Sequence, residues 1–248
     1  MRSGAACWLT TAVAGLSGCA GSQSMLDPVG PSAQAIALVW WWMLGVAALV
    51  LLGVVVVWLW AMRRGQKPPS EMDDATATRH SQRWIIGGGV VLPSVAITAL
   101  LVFGSSAGLH QLPLAWSGGG GPGAAPLRID VMAQQWAWSL HYPESGVQLH
   151  NELRLPVGRP VDIHVGSQDV IHSFWVPRLG GKIDAIPGRT NVVRLQADQA
   201  GVFRGQCAEF CGLNHAHMVL NVIAMPAADF EAWQLTQPTT EPQGASND

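Results

Sequence analysis

Charge is scarce in this sequence. Of 248 residues only 14 are Lys or Arg and 16 are Asp or Glu, 12% charged against a hydrophobic share of 49%. Globular domains ordinarily carry about 25% charged residues, so the composition excludes a fully soluble domain of ordinary make-up. The shortage is also local. No charged residue occurs in 28–62 and no acidic one in 75–129. A formal net charge of −2 supplies no basic surface, and no nucleic-acid partner is expected. Cysteine is sparse, at four residues. None falls in a Cys-x-x-Cys-His arrangement, so the sequence carries no motif for covalent haem attachment.

The uncharged stretches have a use. Residues 1–18 have the form of a secretory signal of lipoprotein type, with Arg2 ahead of the apolar run 7–16. Leu16-Ser17-Gly18-Cys19 then resembles a lipoprotein cleavage box, which makes Cys19 the expected lipidated first residue of the mature chain. The plainer alternative is a signal without lipid and an inert Cys19. A membrane anchor is expected over 19–112, with helices spanning about 36–62 and 84–109. Each has the ~20 apolar residues that a crossing requires. Gly87, Gly88, Gly89 and Pro93 weaken the second as a soluble helix, but membrane helices tolerate both residue types. Trp40, Trp41, Trp42, Trp58, Trp60 and Trp84 stand near the ends, as interfacial tryptophans do. Between the spans lie Arg63, Arg64, Lys67, Arg79 and Arg83, which the positive-inside rule places in the cytoplasm. Both chain ends then lie outside the bacterial inner (cell) membrane, and the protein is multi-pass.

Residues 113–126 form a linker around Gly118-Gly119-Gly120-Gly121. From Leu127 the texture turns to short β-like runs broken by Gly, Pro and Asp: 127–140, 147–155, 160–165, 190–196 and 218–224. The clean alternation of Val161, Ile163 and Val165 marks one buried face. A β-sandwich or Greek-key barrel is expected over 127–235, with a short helix at 230–235 and a disordered tail over 236–248. From Leu127 onward eight Lys/Arg face twelve Asp/Glu, a formal net of −4. Asp130, Glu144, Asp169 and Asp184 are candidates for an acidic face toward a basic redox partner. A scattered, solvated surface is the plainer alternative.

The densest chemistry lies at Cys207-Ala208-Glu209-Phe210-Cys211-Gly212-Leu213-Asn214-His215-Ala216-His217-Met218. Thiolate, imidazole and thioether are the ligands of copper electron-transfer sites. Cys211, His215 and Met218 follow the order of a single-copper loop, with His172 as the distant imidazole. Cys207 adds a second thiolate, and two thiolates side by side can bridge two metal ions. His172 and His215 then cap one ion each, and Met218 and the Glu209 carbonyl complete the set. Three plainer readings compete: a Cys207–Cys211 disulfide, a structural zinc site, or soft side chains clustered in a core. His217 lies between two of the ligands and is expected at the surface or behind them.

These residues resemble subunit II of the haem–copper cytochrome c oxidases. The likeness rests on four motifs in order. They are Gln135-Trp136-Ala137-Trp138, Asp169-Val170-Ile171-His172-Ser173-Phe174-Trp175-Val176-Pro177, Lys182-Ile183-Asp184-Ala185-Ile186-Pro187-Gly188-Arg189, and Cys-x-Glu-x-Cys-x-x-x-His-x-x-Met over 207–218. The resemblance implies two N-terminal transmembrane helices followed by an all-β cupredoxin-like Greek-key sandwich. It implies a dinuclear copper centre (CuA) on His172, Cys207, Glu209, Cys211, His215 and Met218. It also implies a magnesium ion facing the Glu209 carboxylate at a subunit interface, and Trp136 as the aromatic through which cytochrome c delivers electrons. From the pattern alone Trp136 and Trp138, two apart on a strand, share a face and read as core. The implied partners are oxidase subunit I, which alone holds haem and reduces oxygen to water with proton translocation, and subunit III. A membrane-anchored copper-binding or copper-delivery module without oxidase activity is the alternative. A quinol oxidase subunit is disfavoured by the intact ligand set. One departure stands out: the family carries a glutamate near the start of the second span, where this chain has no acidic residue after Asp74.

Overall fold

The computed structural model describes residues 20–65, 74–109, 112 and 125–238. Expectations for the signal peptide, Cys19, most of the linker and the tail beyond residue 238 lie outside the described residues. The chain divides into two compact units, Leu38–Ala107 and Met1–Ala37 with Gly108–Asp248.

The helices are α1 (Pro31–Arg64), α2 (Asp74–Ile86) and α3 (Leu92–Leu109), and the helical unit takes α1 from Leu38 and α3 up to Ala107. Pro31 opens α1, where its missing N–H costs no hydrogen bond, and Arg63 and Arg64 close it against the negative end of the helix dipole. At 1.5 Å per residue, its 34 residues extend about 51 Å. Ser32, Ala33 and Ala37 are buried, whereas large apolar side chains from Leu38 to Met62 are exposed. The second span is longer than the apolar run suggests. Helix starts at Asp74 and continues through a π-helical turn, Gly87–Val91, into α3. Pro93 explains the turn: its ring excludes the carbonyl one turn back, and a wider turn relieves that clash. Pro31–Arg64 and Ala75–Ser105 are both long and apolar enough to cross a bilayer.

The other unit is a sandwich of two five-stranded sheets. Its strands are β1 (Leu127–Gln134), β2 (Ala137–Tyr142), β3 (Val147–His150), β4 (Glu152–Pro156), β5 (Val161–Ser167), β6 (His172–Trp175), β7 (Ile183–Ala185), β8 (Asn191–Leu195), β9 (Gly201–Cys207) and β10 (Val219–Met225), followed by α4 (Ala227–Thr236). One sheet runs β3-β2-β1-β5-β8 and the other β4-β10-β9-β6-β7. Most pairs are antiparallel, but β1 with β5 and β4 with β10 are parallel, joining distant parts of the chain as a Greek key does. Leu127, Ile129, Val131 and Ala133 of β1 point inward, beside Trp138 and Leu140 of β2, and share one core with Phe174 and Val222 of the other sheet.

Two expected runs each split in two. Residues 127–140 break at Gln135-Trp136, the turn between β1 and β2. Residues 147–155 break at Asn151, whose φ of 55° sends β3 and β4 into different sheets. Consequently Trp136 and Trp138 do not share a face: Trp138 is fully buried in β2, while Trp136 sits half-buried in the turn.

A strap from the chain's beginning belongs to this unit. Val29 is buried in the sandwich core. Its N–H donates to the Arg178 carbonyl at 2.9 Å, and its own carbonyl accepts from the Asp198 N–H at 2.8 Å. Arg178 pairs with the Asp27 carboxylate at 2.8 Å. Gly30 packs so closely on the Gln196 carbonyl oxygen that a Cβ would collide with it.

Candidate metal centre

Three neighbouring strands bring the sulfur and imidazole residues together. Cys207 ends β9, and β10 starts immediately after Met218. The loop between them is shut at its base by the Cys207 N–H donating to the Met218 carbonyl at 2.9 Å. His172 begins β6, which pairs with β9 through Phe174 opposite Cys207. The Ala208 N–H donates to the Ser173 carbonyl at 2.9 Å, fixing the loop's start against the strand that carries His172. A 3₁₀ turn, His215–His217, then directs His215 inward and leaves His217 exposed.

The two thiols form the centre of the cluster. Their Sγ atoms lie 3.7 Å apart. A disulfide needs about 2.05 Å, so the cysteines are unbridged. His172 Nδ1 lies 3.9 Å from Cys207 Sγ, and His215 Nδ1 lies 3.6 Å from Cys211 Sγ. Met218 Sδ is 3.9 Å from Cys211 Sγ, and the Glu209 carbonyl oxygen is 3.2 Å from Cys207 Sγ. Donor atoms of His172, Cys207 and Cys211 fall within 4.8 Å of one another. The result is near-symmetric: two sulfurs in the middle, one imidazole against each, and a weak donor on either side. Soft, buried donors of this kind fit copper. Burial, with the Cys207 thiol beside it, pushes the Cys211 thiol up to about 12. A cation between the sulfurs reverses that preference and favours the thiolates.

Asp169 orients the first imidazole. Its Oδ1 lies 2.8 Å from His172 Nε2. Its carboxylate also accepts the Gln135 and Val170 peptide N–H groups, each at 2.7 Å. Desolvation by burial would raise the Asp169 carboxyl; the hydrogen bonds from His172, Gln135 and Val170 outweigh it and hold it down to about 2. With the proton on Nε2, the Nδ1 lone pair faces Cys207, as metal-binding imidazoles require. Trp138 and Phe174 pack edge-on nearby, with ring centroids 5.6 Å apart.

The Trp136 indole N–H donates to the Cys211 carbonyl at 3.1 Å. The Glu209 carboxylate is exposed and lies 3.8 Å from Lys182 Nζ. The proposed acidic face is largely internally paired. Asp130 bonds Arg128 at 2.8 Å, Asp184 lies 3.3 Å from Lys182, and Asp169 points at His172. Sequence reasoning missed two residues of the site. Asp169 serves His172 rather than an acidic face, and its place three residues before that imidazole is the sequence signal. Gln135 was passed over beside its tryptophan neighbour.

Comparison with known proteins agrees with this geometry. Residues 145–225 match the family model described as cytochrome C oxidase subunit II, periplasmic domain. Cytochrome c oxidase subunit 2 of Alkalihalophilus pseudofirmus is 34% identical over 223 residues, covering 88% of this chain and 64% of that protein. Its counterpart from Thermostichus vulcanus is 44% identical over 113 residues, covering 45% of this chain and 34% of that one. The chain thus spans less than two thirds of the length of either relative. Among solved structures, the periplasmic domain of subunit II of cytochrome oxidase (CoxB) of Bradyrhizobium japonicum is 35% identical, covering 46% of this chain and 95% of that one, with a TM-score of 0.44. With two long apolar helices ahead of a cupredoxin-like sandwich that holds a His/Cys/Cys cluster, the chain belongs to the cytochrome c oxidase subunit II family.

Proposed function

We propose that this chain is the electron-entry subunit of a respiratory cytochrome c oxidase. His172, Cys207, Cys211, His215 and Met218, with the Glu209 carbonyl, hold a dinuclear copper centre. When bound, the two copper ions supply a one-electron carrier that needs little rearrangement between its redox states. The observation that carries the reading is the 3.7 Å separation of two buried sulfurs with one imidazole against each. A zinc site has no use for the thioether at 3.9 Å.

The chain's own residues have defined tasks. Cytochrome c docks beside Trp136 and is oxidised by one electron there. The indole, hydrogen-bonded to the Cys211 backbone, carries that electron toward the sulfurs. Asp169 keeps the proton on His172 Nε2 and so keeps Nδ1 available. The sandwich holds every donor in place, which limits rearrangement. The Glu209 carboxylate faces a magnesium ion at the contact with subunit I, whose haem receives the electron and where oxygen is reduced to water. Subunit III completes the assembly. The protein is multi-pass in a bacterial inner membrane, with both ends outside and Cys19 lipidated. The copper-delivery alternative is disfavoured because His172, Cys207, Cys211 and Met218 are all at most 3% exposed, and a delivery protein must release its metal.

The test uses the full chain in detergent, loaded with copper. Elemental analysis should return about two copper ions per chain, as bridging by two thiolates requires. The electron paramagnetic resonance spectrum should show coupling to two equivalent copper nuclei. A single-nucleus pattern, or zinc retained in place of copper, would refute the reading.

A further inference from the structure

Gln135 ties together both segments that carry the sulfur and imidazole donors. Its peptide N–H donates to Asp169 Oδ2 at 2.7 Å, and Asp169 in turn holds His172. Its side-chain amide Nε2 donates to the Cys211 carbonyl at 2.8 Å. The next residue, Trp136, donates its indole N–H to that same carbonyl at 3.1 Å. One carbonyl oxygen with two lone pairs therefore takes two donors from adjacent residues.

The fit is close enough to restrict the chain on the other side. Gly212 has φ of +115°, a conformation that glycine adopts without strain. A Cβ there would lie 3.1 Å from Gln135 Nε2 and 3.3 Å from Trp136 Cζ2. The absent side chain is what lets the amide and the indole reach Cys211 together. Trp136 alone has weaker means of holding its place. It is half-buried, outside any strand, and its hydrogen bond to that carbonyl is the longer of the two. The shorter amide bond fixes the acceptor that the indole needs.

We propose that Gln135 is the positioning residue for electron entry. Its amide pins the Cys211 carbonyl so that Trp136 stays hydrogen-bonded to it. From that oxygen only the carbonyl carbon, Cα and Cβ separate the indole from Cys211 Sγ. This inference rests on the proposed function, and the experiment separates the two.

The assembled oxidase carrying Gln135→Met keeps the length of the side chain and loses its donor. It is mixed with reduced cytochrome c, and electron entry is followed in the bound complex and as a function of cytochrome c concentration. The copper spectrum is recorded on the same samples. The expected result is bound-state entry slowed by roughly 10–100-fold, the usual cost of losing a supporting contact behind a metal site. KM for cytochrome c and the copper spectrum stay as in the unaltered enzyme. Gln135→Leu, which also removes the donor, gives the same pattern. Unchanged entry in both variants overturns the inference. So does a raised KM with normal bound-state entry, which makes Gln135 a docking residue, or a lost copper spectrum, which makes it a support for the ligands. Absence of a dinuclear spectrum from the unaltered enzyme overturns the proposed function instead.

Discussion

Asp169→Asn should weaken copper binding without unfolding the protein, for a reason that lies in two oxygens. In the structure Oδ1 faces the His172 Nε2 proton at 2.8 Å and Oδ2 accepts the Gln135 N–H at 2.7 Å. A carboxylate accepts on both sides; an amide accepts on one and donates on the other. If Asn turns its NH₂ toward His172, Nε2 must become an acceptor. The ring proton then moves to Nδ1, the atom facing Cys207. If Asn turns its NH₂ toward Gln135, two donors oppose each other and the turn that carries Trp136 is pushed away. Either orientation breaks at least one charge-assisted hydrogen bond, about 1.5–3 kcal/mol, and the first also sets the NH₂ against the Val170 N–H. That corresponds to roughly 10–100-fold in copper affinity, the usual cost of losing such an outer partner. The assay is chelator competition on the full chain in detergent, with a thermal melt as the folding control. Affinity within about twofold of the unaltered protein, with folding intact, would refute the argument that a carboxylate is required.

Three further outcomes are expected. Cys207→Ser replaces a bridging sulfur with a hydroxyl and should turn the two-nucleus copper spectrum into a single-nucleus one; an unchanged spectrum would show that Cys207 does not bridge. Tyr142→Phe removes a buried hydroxyl that both donates to the Arg154 carbonyl and accepts its N–H, each at 2.8 Å. Two backbone groups lose their partner, so the sandwich should lose about 1–3 kcal/mol and melt several degrees lower. Gly30→Ala forces a methyl group against the Gln196 carbonyl and should speed hydrogen exchange at the Asp198 N–H, whose acceptor is the Val29 carbonyl. Unchanged exchange would mean that the strap tolerates the shift.

The sulfur and imidazole loop was readable because its chemistry is compressed into twelve consecutive residues, 207–218. Its anchoring was not. Asp169 also accepts the Gln135 N–H, and that tie joins segments 34 residues apart. The strands were visible where alternation is strict, as in β5. They merged where a short turn interrupts an apolar run, as at Gln135-Trp136 and at Asn151. The spans were clear from composition. The helix ahead of the second one was missed because Asp74 to Arg83 has no apolar face of its own, and its extent follows from continuity with the apolar helix beyond. The strap was illegible for a different reason: nothing in residues 20–30 signals that Val29 fills a place among strands a hundred residues later.

That last contact bears on how the β-sandwich is handled in isolation. A version trimmed to the ten strands and α4 loses the apolar plug that Val29 provides. Arg178 loses its carboxylate from Asp27, and the Asp198 N–H loses its acceptor. A hydrophobic notch beside an uncompensated guanidinium is an invitation to self-association. Residues 20–30, supplied in cis or as a separate peptide, should return such a fragment to a monomer.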